Sequence, residues 1–158
     1  MENRSVNLTK IAEPLNASGL LIKAVPGMPT GKVTVSSVTY NSKEVNPGTA
    51  FICKGAHFKE NYLRDAIEAG AVCYITEIEY GLGTENCPEI LVSNIREAMP
   101  IIAEAFYGRL SDELKVVGIT GTKGKSTTTY YMRYILDNYM ASIGEERTAV
   151  CSGIDNYD

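Results

Sequence analysis

No two cysteines in this sequence are spaced C-x-x-C, and a single histidine accompanies the four present, Cys53, Cys73, Cys87 and Cys151. The common zinc patterns are thereby excluded, and the expectation is of reduced, mostly buried thiols in a cytoplasmic protein. No apolar run approaches the ~20 residues that cross a bilayer. Lys10, Glu13, Asn16 and Lys23 interrupt the apolar stretch near the start before a secretory core can form, so no membrane partner is expected. Positive charge is also in deficit, with 15 Lys and Arg against 19 Asp and Glu and a net charge of -4. A protein that holds nucleic acid by neutralising phosphates needs the opposite balance, so no nucleic-acid partner is expected and any anionic ligand has to be held by a local feature. The 44% hydrophobic and 22% charged residues are ordinary for a globular chain and exclude disorder and coiled coil. At 158 residues, one compact domain fits, with a piece of another.

Extended β-branched runs alternate with segments of helical period, the pattern of an α/β fold in which helices cover a sheet. Strands are expected over residues 33–40 and 49–54, joined through the turn Asn46-Pro47-Gly48. A helix over residues 62–69 places Leu63, Ala66 and Ile67 on one face and ends at Gly70. Strands over 71–76 and 89–93 follow. Asn94 is positioned to cap a helix carrying Ile95, Met99, Ile102, Ala103 and Phe106, although Pro100 implies a later start or a bend. Residues 107–113 read as a linker, with a domain boundary near Asp112. Beyond it the expected order is a buried strand over 114–120, a glycine loop over 121–125, a helix over 126–140 and a strand over 148–151, the opening βαβ unit of a parallel sheet. Tyr131, Ile135 and Tyr139 repeat at core spacing in that helix, and the run from Asp137 to Arg147 reads as a solvated turn. Asp155 follows no clear apolar run, so no second acidic metal ligand is assigned to it.

Chemistry concentrates in Gly118-Ile119-Thr120-Gly121-Thr122-Lys123-Gly124-Lys125-Ser126-Thr127, between the expected strand and helix. Gly121 and Gly124 let the backbone aim successive N–H groups at phosphate oxygens, and the first helical turn adds its unpaired donors and positive dipole end. Lys125 supplies a mobile cation for the β- and γ-phosphates, and Ser126 a hydroxyl for Mg²⁺. The strict G-x-x-x-x-G-K-[ST] spacing is not met, because Ile119 occupies the first glycine's place.

The segment V-V-G-I-T-G-T-K-G-K-S-T-T-T resembles the ATP-binding loop of the Mur ligase family, T-G-T-N-G-K-T-T, with Lys123 where most members have Asn and Ser126 where most have Thr. Upstream, Asn41-Ser42-Lys43, Val45, Pro47-Gly48, Phe51, Gly55 and Ala66 through Gly70-Ala71 are similar to the pattern D-S-R-x-V-x-P-G-x-L-F-x-A-x-x-G with its downstream A-x-x-x-G-A in MurE-type and MurF-type N-terminal domains. Asn41 replaces the family's Asp and Lys43 its Arg, which alters charge and donor geometry. Together the resemblances cover residues 33–158 and look closest to the MurE type.

That resemblance implies a UDP-sugar-peptide substrate-binding domain over residues 1–112, followed over 113–158 by the incomplete start of a P-loop ATP-binding domain. It implies ATP-dependent amide ligation: a substrate carboxylate is activated as an acyl phosphate and attacked by the amine of the incoming amino acid, the third of UDP-N-acetylmuramoyl-dipeptide's stem. Gly121, Thr122, Lys123, Gly124, Lys125, Ser126 and Thr127 are then expected to hold ATP, with Ser126 on Mg²⁺. Ser42, Lys43, Gly55, His57 and Phe58 are expected to line the UDP pocket. The remaining domains that the family uses are not in these residues, so the expectation is a fragment inactive alone, from an enzyme that is monomeric when whole. A MurF-type ligase and a non-catalytic nucleotide-binding fragment are the alternatives.

Overall fold

The computed structural model describes residues 4–24, 33–55, 58–109, 112, 114–152 and 156–157. The chain divides into two compact units, Met1–Glu113 and Leu114–Asp158.

The first unit is built on a five-stranded sheet in the order β2-β7-β6-β5-β4. Its strands are β2 (Leu21–Ala24), β4 (Ser37–Thr39), β5 (Thr49–Ile52), β6 (Ala71–Thr76) and β7 (Glu89–Val92). β4 to β7 run parallel, and β2 joins antiparallel to β7. Alternation along each strand sorts side chains to opposite faces. On one face Ala50, Ile52, Cys73, Ile75, Ile90 and Val92 meet α1 (Thr9–Ala17) and α3 (Ile95–Tyr107) through Ile11, Leu15, Ala98, Ile102 and Phe106. On the other, Phe51, Cys53 and Tyr74 meet Leu63 and Ala66 of α2 (Glu60–Glu68). A parallel sheet covered on both faces is the arrangement the near-continuous apolar strands call for.

The run expected as one strand over 33–40 is two. β3 (Thr34–Val35) pairs antiparallel with β1 (Val6–Asn7), and β4 enters the main sheet. The break falls at Ser36, whose N–H is drawn instead to the Gly48 carbonyl at 2.8 Å. Asn94 caps α3 as expected, its side chain accepting from the N–H groups of Arg96 and Glu97. The later start is not observed: α3 begins at Ile95 and keeps Pro100 inside. α1, to which the sequence assigned nothing, likewise contains Pro14. Each proline frees the carbonyl four residues earlier, on Arg96 and on Lys10, and both of those residues are exposed to water. Gly70 ends the α2 segment at φ +102°, and a Cβ there would lie 3.0 Å from the Pro47 Cα. Glycine is therefore required twice at this position, by its backbone angle and by the close approach of the 46–48 turn.

The second unit departs from expectation. Residues 115–120 form no strand among the described residues, and Val116 is 80% exposed. α4 (Lys125–Ile143) forms, one residue earlier and three later than expected, but buries none of its residues. Tyr131 and Ile135, placed in a core by their spacing, are 69% and 64% exposed. β8 (Val150–Cys151) pairs antiparallel with β9 (Asn156–Tyr157), so the expected parallel βαβ unit is not present among the described residues. The physical reason is pairing: a strand exists only by hydrogen bonding to a neighbour, and among the described residues β8 takes β9 while 115–120 joins no sheet. Asp137 is not in a solvated turn but in α4. Its carboxylate accepts from the Thr148 N–H at 2.8 Å and the Thr148 hydroxyl at 2.6 Å, tying the helix to the strand segment that follows.

Candidate functional site

Parallel strands deliver their loops to one edge of the sheet, and ligand sites gather at the carboxyl ends. β4 and β5 do this here. The chain leaving β4 turns through a short 3-10 helix, Ser42–Glu44, and the chain leaving β5 passes through Lys54 and Gly55 toward α2. Between them lies a cavity of about 700 Å³ lined by residues 38–44, Lys54, Gly55, Phe58 and Tyr62. Ser42, Lys43, Gly55 and Phe58 of the sequence-derived set all border it. His57 lies outside the described residues.

The first wall is fixed by a local network. The Asn41 side-chain oxygen accepts from the Lys43 N–H at 3.1 Å, which starts the 3-10 turn. The Asn41 amide donates to Glu44 Oε1 at 2.9 Å, and the Thr39 hydroxyl donates to Glu44 Oε2 at 3.2 Å. Both carboxylate oxygens of Glu44 are thus engaged by neutral donors. Asn41, in place of an acidic residue, makes this possible, because an aspartate there has no N–H to give Glu44.

The second wall is aromatic. Phe58 contacts Phe51, Tyr62 and Tyr80 with ring centroids 6.1 to 6.2 Å apart. Also on the lining, the Lys54 ammonium sits 5.0 Å from the Tyr40 ring centroid. Sequence reasoning missed Tyr40, Lys54 and Tyr62. Lys54 was counted as the last residue of a strand, yet it stands just past the carboxyl end of β5 beside Gly55, and that adjacency was the available signal.

Cys73 of β6, Cys53 just after β5 and Cys87 just before β7 are buried. Burial pushes Cys53 up to about 12 and Cys87 to about 11. Cys73, fully buried, is raised further still by the same cause. All four cysteines are free, and only Cys151 is exposed.

In the second unit, Gly121, Thr122, Lys123 and Gly124 form a loop that runs into α4, and Lys125, Ser126 and Thr127 are the first residues of that helix. Gly124 is the residue before the helix and adopts φ +79°, a left-handed conformation that favours glycine. No side chain caps the first turn. The Lys125 ammonium folds back over the loop and donates to the Gly121 carbonyl at 2.6 Å. Uncapped N–H groups, a positive dipole end and a lysine held above them form a cradle suited to phosphate. The Ser126 hydroxyl is a hard oxygen of the kind Mg²⁺ takes, and no cluster of three His, Cys, Asp or Glu exists among the described residues. Among the described residues, no helix is long and apolar enough to cross a membrane.

No family model matches the chain. Curated relatives do. It is 39% identical over 121 residues to the UDP-N-acetylmuramyl-tripeptide synthetase of Bifidobacterium longum, covering 77% of this chain and 22% of that protein. With the synthetase of the same name from Limosilactobacillus reuteri it shares 46% over 103 residues, 65% of this chain and 20% of the relative. The UDP-N-acetylmuramoyl-L-alanyl-D-glutamate--L-lysine ligase of Enterococcus faecalis is 40% identical over 107 residues, 68% of this chain and 21% of that one. The chain therefore spans about a fifth of the length of these relatives.

Among solved structures, a UDP-N-acetylmuramoyl-L-alanyl-D-glutamate--2,6-diaminopimelate ligase matches 97% of this chain and 28% of its own at a TM-score of 0.60 and 22% identity. A MurF from Acinetobacter baumannii matches with a TM-score of 0.64 and 18% identity, over 90% of this chain and 29% of its own. These two share the fold. A MurF ligase from Thermotoga maritima in complex with ADP is 28% identical with a TM-score of 0.50, over 67% of this chain and 23% of its own.

Proposed function

From the premise that the chain is a MurE-type member of the Mur ligase family, we propose that it serves ATP-dependent amide ligation in peptidoglycan precursor synthesis, in the cytoplasm. The first unit binds the UDP end of UDP-N-acetylmuramoyl-dipeptide in the cavity at the carboxyl ends of β4 and β5. The second unit holds the phosphates of ATP on the loop 121–127.

One observation carries this reading: Ser42, Lys43, Gly55 and Phe58, chosen from the family resemblance and lying in two separate segments of the chain, border one cavity. Hydroxyl, ammonium and backbone donors serve phosphate and ribose oxygens, and aromatic rings serve a base. On the other unit, Lys125 and the N–H groups opening α4 neutralise and orient the triphosphate, and Ser126 gives Mg²⁺ one oxygen. Bound ATP supplies the phosphoryl group that turns the substrate carboxylate into an acyl phosphate for attack by an amine. The part of this chain is to bind and orient.

The test is calorimetry on this chain with UDP-N-acetylmuramoyl-dipeptide and, separately, with ATP and Mg²⁺. The expected result is binding of the nucleotide sugar that Ser42→Ala and Lys43→Met weaken. Binding unchanged by both substitutions, or none at all, overturns the cavity assignment. Likewise, ATP binding unaffected by Lys125→Ala overturns the role of the loop. A MurF-type role is the second reading, favoured by the 28% identity to the Thermotoga maritima MurF. In a longer chain that contains these residues the two part by substrate: phosphate release with the dipeptide and a single amino acid supports the first, and release with a tripeptide and D-Ala-D-Ala the second.

A further inference from the structure

The cavity holds two cations and one anion, Lys43, Lys54 and Glu44. The anion is spent internally, since both oxygens of Glu44 accept from Asn41 and Thr39. Among the described residues neither lysine has an ion-pair partner. An exposed lysine ordinarily samples many rotamers, but Lys54 is held with its ammonium 5.0 Å from the Tyr40 ring centroid. Attraction to the ring face costs the ammonium none of its charge and leaves its N–H donors free for a second acceptor. The position is thus a cation pre-set beside a cavity that Phe58 and Tyr62 also line with aromatic rings.

We propose that Lys54, positioned by Tyr40, is a specificity-determining residue of this cavity that holds the diphosphate of the nucleotide-sugar ligand. The inference rests on the reading of the cavity as the nucleotide-sugar site and assigns to it a residue that the motif does not contain. Lys54 contributes charge and N–H donors to the phosphates, and Tyr40 contributes only the placement of that charge. Uridine, lacking phosphate, gains nothing from either.

The probes are UDP and uridine, titrated into the full chain with amide chemical shifts as the readout, so that millimolar affinities remain measurable. Lys54→Met is expected to weaken UDP ~5- to 10-fold while leaving uridine within ~2-fold, and Lys54→Arg to restore most of the UDP affinity, because arginine keeps both the charge and the ring contact. Tyr40→Leu is expected to weaken UDP by a smaller factor, and Tyr40→Phe to leave it unchanged. UDP that binds wild type and Lys54→Met alike overturns the proposal while leaving the cavity reading intact. Equal loss of UDP and uridine in Lys54→Met overturns it as well, since the residue then supports the base or the fold. Failure of UDP to shift any cavity amide removes the cavity reading and this proposal together.

Discussion

The two units differ in what their apolar residues touch. In the first, every strand of the parallel run from β5 to β7 sends alternate side chains into helices on one face or the other, and Leu63, Phe51, Ile75 and Ile102 are fully buried. In the second, nineteen residues of α4 bury nothing, and Val116, Val117, Tyr131, Tyr134 and Ile135 face solvent. Yet each unit carries a loop with ligand-binding chemistry. A cavity such as that of the first unit needs walls held by a core, whereas a phosphate cradle needs only a glycine turn and a helix start. The comparison teaches that a glycine turn and a helix start form from local sequence, whereas a cavity between strand ends depends on a covered sheet.

Removing core volume draws the contrast most sharply. Leu63→Ala or Ile102→Ala in the first unit is expected to cost ~2–5 kcal/mol by urea unfolding followed by circular dichroism. Ile135→Ala in the second is expected to stay within ~0.5 kcal/mol, as for an exposed position. An equal cost at Ile135 would mean that α4 is covered in solution. Next in size is backbone strain. Gly70→Ala meets Pro47 and an unfavourable φ and is expected to lose ~1–3 kcal/mol, whereas Gly144→Ala, at φ +77° with open space around it, is expected to lose ~1 kcal/mol.

How much of this was legible in the sequence follows the same division. β5 to β7, α2 and α3 stood out because both their period and their punctuation are local: Asn46-Pro47-Gly48, Gly70 and Asn94 each mark an end. α1 was not legible, since Pro14 breaks the pattern and only tertiary contact of Ile11 and Leu15 with the sheet makes the helix. In the second unit the period of Tyr131, Ile135 and Tyr139 was read as a core, but period reports only which residues share a face, never what covers it. In the cavity the motif residues were legible. Tyr40, Lys54 and Tyr62 were not, because they meet only once β4, β5 and α2 are assembled.

pH separates the units in opposite directions. Cys53 and Cys87 have folded values raised by burial to about 12 and about 11 from a usual 9.0, so the unfolded chain releases their protons first. Stability of the first unit is expected to be intact below pH ~9 and to fall as pH rises toward those values, read as a declining urea midpoint. Asp137 is held below the usual carboxylate range by its hydrogen bonds from Thr148. Its tie is expected to be present above pH ~4 and to weaken as pH falls through the lowered value, read as faster amide exchange at Thr148. A pH response shared by both units would break the distinction. The smallest effect is thiol reactivity: near neutral pH, Cys151 is expected to label rapidly with a thiol reagent and the other three only on unfolding.

The central claim is that the UDP end of the nucleotide sugar binds in the first unit, at the carboxyl ends of β4 and β5. Titration of UDP-N-acetylmuramoyl-dipeptide into the chain, with backbone amide shifts followed residue by residue, tests it most directly. The account predicts shifts at Ser42, Lys43, Gly55 and Phe58. Shifts confined to 121–127, with the cavity amides unmoved, would contradict it.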